Sequence, residues 1–83
     1  AGEFSDPSHP AHRVAAEHKR SILKYLERLC ADAGAAAPEK LAEQLALLKE
    51  GAISTAHVRS MPEAAQIAKE MATRMIDAAL ADV

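Results

Sequence analysis

The residues that usually hold a small domain together are scarce in this chain. Among its 83 residues are one cysteine (Cys30), one phenylalanine, one tyrosine and no tryptophan. A single cysteine excludes an internal disulfide bond. Hydrophobic residues make up 49 % of the chain, but many of them are alanines, which bury little area. A thin core in a chain of this size is typical of an oligomer or of part of a larger protein.

An excess of positive charge is also missing. Ten lysines and arginines face 12 aspartates and glutamates, which gives a formal net charge of −2. Nucleic-acid binding depends on a basic face that neutralises phosphates, so we expect no nucleic-acid contact by this chain. The basic residues near the N-terminus are interleaved with Glu17, Glu27 and Asp32, as is typical of a solvated helix face.

Long apolar segments are absent as well. No run approaches the roughly 20 residues that a membrane-spanning helix needs, and no basic segment precedes an apolar run as in a signal peptide. A lone cysteine without a secretion signal is typical of the reducing cytosol. The sequence therefore predicts a cytoplasmic protein without membrane contact.

Apolar periodicity and boundary residues predict three helices. The first covers about residues 10–33, begins near the candidate cap Ser8 and ends at Gly34. The second covers 38–58 and begins at Pro38. The third covers 61–82, after a capping box formed by Ser60 and Glu63. Residues 1–9 are predicted to be a lead-in loop and 10–83 one helical unit, in which short connections make neighbouring helices antiparallel.

The second predicted helix is apolar on two sides. One stripe at helical spacing consists of Leu41, Leu45, Leu48, Ala52 and Ala56. The other consists of Leu47, Gly51 and Val58, with Thr55 beside it. A helix with one solvated face needs only one stripe, so we infer a partner, either a second copy or another part of the protein. Both stripes are candidates for the contact, and the small residues Gly51 and Thr55 would allow a neighbouring helix to approach closely.

No catalytic or metal-binding motif accompanies these helices. His9 and His12 are spaced for chelation, but no His-Glu-x-x-His or Cys-x-x-Cys motif completes a ligand set. His18 lies on the apolar stripe of the first helix, either as a half-buried structural residue or as a hydrogen-bonding group in a pocket. Without a phosphate loop, a paired-carboxylate motif or a nucleophile elbow, we predict no enzymatic activity, no metal and no cofactor.

Three segments resemble one known family, in the family's own order. EFSDPSHPAHRVAAEHK is similar to the Asp-Pro-x-His-Pro segment that opens the seventh helix of many TetR-family transcriptional regulators. PEKLAEQLALLKEGAISTAHV resembles their eighth helix, with the Gln-Leu-x-Leu-Leu-x-x-Gly-Ala pattern at Gln44–Ala52. MPEAAQIAKEMATRMIDAAL resembles their ninth and last helix. The resemblance covers almost the whole chain.

This resemblance implies the C-terminal regulatory region of such a protein. The implied fold is all-α, with the last two helices forming a four-helix bundle in a homodimer. The DNA-binding domain of the parent protein would lie outside this chain, and a small apolar effector would bind the intact protein. The predicted dimer-interface residues are Leu45, Leu48, Gly51, Ala52, Thr55, Met71 and Met75. The predicted effector-pocket residues are His18, Ile22, Tyr25 and Leu47.

A second interpretation belongs to another class of protein. The same amphipathic helices would also suit a stand-alone helical adaptor that binds a partner's helix in an apolar groove. The two interpretations differ in the oligomeric state that they predict, since only the first requires a second copy of the chain.

Overall fold

Three helices joined by two short turns form the described part of the chain. A computed structural model describes residues 9–81, which contain α1 (Pro10–Asp32), α2 (Pro38–Val58), α3 (Ala64–Leu80) and no β-strand. This confirms the all-α class and the three predicted helices. Residues 1–8 of the predicted lead-in, including Ser8, lie outside the described residues, as do Asp82 and Val83 at the end of the predicted third helix.

Local hydrogen bonds define both ends of α1. At its start, the His9 Nδ1 atom accepts a hydrogen bond from the Ala11 N–H at 3.1 Å. At its end, Gly34 has a φ of 93°, and the Ala35 N–H donates to the Cys30 carbonyl at 3.1 Å. This is a Schellman closure, in which glycine takes the left-handed conformation most easily. Gly34 therefore terminates α1 as predicted. The last residue of the helix is Asp32, one residue before the predicted end at residue 33.

The turn between α2 and α3 differs from the prediction. Ser60 has a φ of 49°, and the Met61 N–H donates to the Ala56 carbonyl at 3.1 Å. Ser60 thus occupies the glycine-favoured position that ends α2, whereas an N-cap residue needs an extended backbone. The predicted capping box is therefore wrong. α3 begins at Ala64, three residues later than predicted, after Glu63, whose side chain makes no capping hydrogen bond.

The helices lie side by side in a single layer, with α2 in the middle. Lys19 in the first half of α1 pairs with Glu50 in the second half of α2, while Cys30 near the end of α1 packs with Leu41 near the start of α2. These contacts make α1 and α2 antiparallel. Within residues 9–81, no Cα atom of α1 lies within 8 Å of one in α3. The molecule measures 46 × 29 × 12 Å, and its thickness is about the diameter of one helix.

The core is small and lies at one end of this layer. Cys30, Leu41 and Ala42 form its buried cluster, and Ala42 is completely covered. The partly buried side chains around it are Leu23, Leu26, Ala35, Leu45, Met75 and Ala79. The radius of gyration is 15.0 Å, compared with about 12 Å for a compact domain of this length. The chain therefore covers little of its apolar surface by itself.

Candidate functional site

A cleft opens between α1 and α2, beyond the buried cluster. Its volume is about 540 Å³, within the range of about 300 to 1,000 Å³ common for small-molecule sites. Its apolar lining consists of Ile22, Leu23, Ala46 and Ile53. Its polar lining consists of His18, Lys19, Arg20, Glu43, Lys49, Glu50 and Ser54. This α1–α2 cleft is the candidate ligand site of the described chain.

One ion pair joins the two walls of the cleft. The Lys19 Nζ atom of α1 donates to the Glu50 Oε1 atom of α2, and both side chains are at least half exposed. An exposed pair of this kind contributes about 0 to 1 kcal/mol to stability, so its main effect is to neutralise two of the charges in the cleft. Arg20, Lys49 and Glu43 form no ion pair within residues 9–81.

The four predicted effector-pocket residues do not all come together. His18 and Ile22 line the α1–α2 cleft. Tyr25 is 54 % exposed and lies outside the cleft, with the Arg28 guanidinium carbon 5.9 Å from its ring centroid. Leu47 is 72 % exposed and also lies outside the cleft. The structure thus places two of the four at one candidate site.

Sequence reasoning missed the α2 wall of the cleft. That wall includes Ala46, Lys49, Glu50 and Ile53, whose spacing of three, four and seven residues marks one helix face. The helical spacing is visible in the sequence, but Lys49 and Glu50 interrupt the apolar character of this helix face. Apolar periodicity alone therefore does not reveal this face of α2.

A second, smaller groove lies between α2 and α3. Its volume is about 220 Å³. It is lined by five predicted interface residues, Leu48, Gly51, Ala52, Thr55 and Met71. The remaining lining residues are Arg59, Met61, Ala64, Ile67 and Ala68. The α2–α3 groove therefore collects most of the predicted dimer interface on one surface.

The remaining predicted interface residues have a different environment. Leu45 and Met75 pack against the buried cluster of their own chain, where they help to join α2 to α3. A Cβ atom added at Gly51 would meet nothing within 4 Å. No helix of the described chain therefore makes the close approach predicted at Gly51, and such an approach would need a second molecule.

Large apolar side chains remain exposed on all three helices. They are Val14, Tyr25 and Leu29 of α1, Leu47, Ile53 and Val58 of α2, and Ile67, Met71 and Ile76 of α3. Their exposed fractions range from 36 to 76 %. Of these nine, Ile53 lines the α1–α2 cleft, Ile67 and Met71 line the α2–α3 groove, and the other six lie outside both.

The described residues offer little other chemistry. No group of three histidines, cysteines or carboxylates in residues 9–81 is placed to hold a metal ion, and Cys30 is buried. None of the three described helices combines the length and apolar character needed to cross a membrane. The α1–α2 cleft and the α2–α3 groove are therefore the candidate functional features of the described chain.

Comparison with known proteins adds no relative to this description. No protein-family model, no curated protein and no solved structure matches the chain. The resemblance to TetR-family regulators stays a prediction.

Proposed function

We propose that this chain is the dimerisation and effector-sensing region of a TetR-like transcriptional regulator. The observation that carries the proposal is the α2–α3 groove, which remains open although α2 already packs against α1 and α3. It combines the apolar side chains of Leu48 and Met71 with the small residues Gly51, Ala52 and Thr55. A surface of this composition suits close packing of a second helix pair. The proposal includes a cytoplasmic homodimer.

Exposed apolar side chains in the α2–α3 groove support a partner at this surface. Ile67 is 44 % exposed and Met71 is 47 % exposed. Their burial against a partner would be favourable, because it removes apolar surface from water. A two-fold symmetric dimer uses one patch twice, so a single groove can serve both copies.

The α1–α2 cleft would provide the sensing part of this function. It contains His18 and Ile22 and has the volume of a small-molecule site. In the intact protein, a small apolar effector bound there would shift the population between arrangements that bind DNA and arrangements that do not.

Sedimentation equilibrium at micromolar concentration tests the dimer. We expect twice the mass of one chain for the unchanged protein and the mass of one chain for Leu48→Glu, because the new carboxylate would be buried in the interface. Leu29→Glu, which changes an exposed residue of α1 outside the groove, is the matched control and should remain dimeric. A cooperatively melting monomer, or a Leu48→Glu protein of unchanged mass, would overturn the proposed interface.

A second variant keeps this test informative if Leu48→Glu fails to fold. Gly51→Leu adds a side chain where the monomer has open space, so the helix should form at least as well as before. The same side chain would block close approach by a second copy. Circular dichroism should show full helicity while sedimentation shows a monomer, and a fully dimeric Gly51→Leu protein would contradict the groove as the interface.

The alternative function is a stand-alone helical adaptor. The apolar lining of the α2–α3 groove would then receive one amphipathic helix of another protein. A chain that remains monomeric at micromolar concentration and melts cooperatively favours this alternative over the regulator.

A further inference from the structure

We propose that the α1–α2 cleft binds an amphipathic monocarboxylate, with its aliphatic chain on the apolar lining and its carboxylate at Arg20 and Lys49. This inference deepens the effector-sensing role proposed above and rests on it, because it names the chemical class of the effector. It also replaces a purely apolar effector with one that carries a charged head group.

The apolar lining favours an aliphatic chain over a planar ring. Ile22 and Leu23 of α1 and Ala46 and Ile53 of α2 line the cleft, and Ile53 is 61 % exposed. Apart from the His18 imidazole, no aromatic side chain of residues 9–81 lines the cleft, so its walls offer no extended ring surface on which a planar ligand could stack. A flexible methylene chain would cover Ile53 without needing such a partner.

The charges of the cleft favour a single negative charge. Three cations, Lys19, Arg20 and Lys49, line it together with two carboxylates. The Lys19–Glu50 pair cancels one charge of each sign, which leaves Arg20 and Lys49 with Glu43, a net charge of +1. One carboxylate balances this charge, and an arginine guanidinium can bind it through two parallel hydrogen bonds. A phosphate dianion would leave uncompensated negative charge beside Glu43.

Calorimetric titration with decanoate, octanoate and decanol tests the ligand class. We expect decanoate to bind about tenfold more tightly than decanol, because a charge-assisted hydrogen bond at an exposed site replaces a neutral one. Octanoate should bind about four- to sixteenfold more weakly than decanoate, since each methylene that leaves water contributes about two- to fourfold. Equal affinities for decanoate and decanol, or no binding of either, would overturn the proposal.

Variants of the cleft test the assigned residues. Arg20→Gln and Lys49→Gln should each weaken decanoate binding about three- to tenfold and leave decanol binding unchanged. Ile53→Thr should weaken both ligands. Lys40→Gln, an exposed lysine of α2 outside the cleft, is the matched control and should bind decanoate normally. If Lys40→Gln weakened decanoate binding as much as Lys49→Gln, general charge attraction would explain both effects. That result would overturn the assignment of Lys49 to the carboxylate.

Sedimentation of the same samples separates this inference from the proposed function. A dimer that binds no decanoate contradicts the ligand class and leaves the dimer standing. A monomer that binds decanoate with the expected dependence on Lys49 supports the ligand class and contradicts the proposed dimer.

Discussion

The two ends of the helix layer differ in how completely they are packed. At one end, the last turns of α1 meet the first turns of α2, and Cys30, Leu41 and Ala42 are buried between them. Towards the other end, residues 18–23 of α1 and residues 43–54 of α2 line an open cleft, and Ile53 and Val58 are mostly exposed. We call these regions the packed end and the open end.

Residue size and charge explain the difference between the ends. Two of the three buried cluster residues, Cys30 and Ala42, are small and let α1 lie close to α2. At the open end, the long charged side chains of Lys19 and Glu50 bridge the helices instead. Stability is therefore concentrated at the packed end, and binding surface is available at the open end, as is common where ligand sites belong to the less stable parts of a fold.

The largest expected effect comes from removing a buried side chain at the packed end. Leu41→Ala should lower the free energy of unfolding by about 2 to 5 kcal/mol, because it leaves a cavity in a core that has few other members. Urea denaturation followed by circular dichroism, at a fixed protein concentration, measures the change. Leu47→Ala, at a residue 72 % exposed, should change stability by at most about 0.5 kcal/mol in the monomer. Similar losses of unfolding free energy in Leu41→Ala and Leu47→Ala would contradict the difference in burial between the two leucines.

Gly51 lies at the open end of α2 and has no close neighbour in the described chain. Gly51→Ala should stabilise the isolated chain by about 1 kcal/mol, since alanine favours helix and the added Cβ atom meets nothing within 4 Å. If a second copy packs closely at this position, the same change should weaken dimerisation. In thermal melts, Gly51→Ala should therefore raise the melting temperature at low protein concentration, where the chain is monomeric. It should lower the melting temperature at high concentration, where the chain is dimeric. Stabilisation at every concentration would contradict close approach of a partner at Gly51.

The smallest of these effects is expected at the turn that follows the open end of α2. Ser60→Gly should raise stability by about 0.5 to 1 kcal/mol, because glycine adopts a φ of 49° without the steric cost that serine carries. Ser60→Ala is the matched control and should give no stabilisation. Urea denaturation distinguishes the two variants, and equal stability of the glycine and alanine variants would contradict a left-handed residue at this turn.

The helices were more predictable from the sequence than the site. Pro38 and Gly34 mark local conformations directly, so the start of α2 and, to within one residue, the end of α1 follow from them. Ser60 was misread because serine serves equally well as a cap and in a turn, and only its backbone angle decides between them. Periodicity locates an apolar face but does not identify the helix that covers it. For that reason periodicity places Leu45 and Met75 at a partner interface but does not reveal that they also pack against the buried cluster of their own chain.

The side-by-side order of the helices has a mechanical consequence. Because no Cα atom of α1 lies within 8 Å of one in α3 within residues 9–81, α2 is the main connection between the α1–α2 cleft and the α2–α3 groove in the described chain. Cleft residue Glu50 is adjacent in sequence to groove residue Gly51, and Ser54 is adjacent to Thr55. A rotation of α2 that closed the cleft would turn the groove through the same angle. The central helix would thus couple the proposed ligand on one side to the proposed partner on the other.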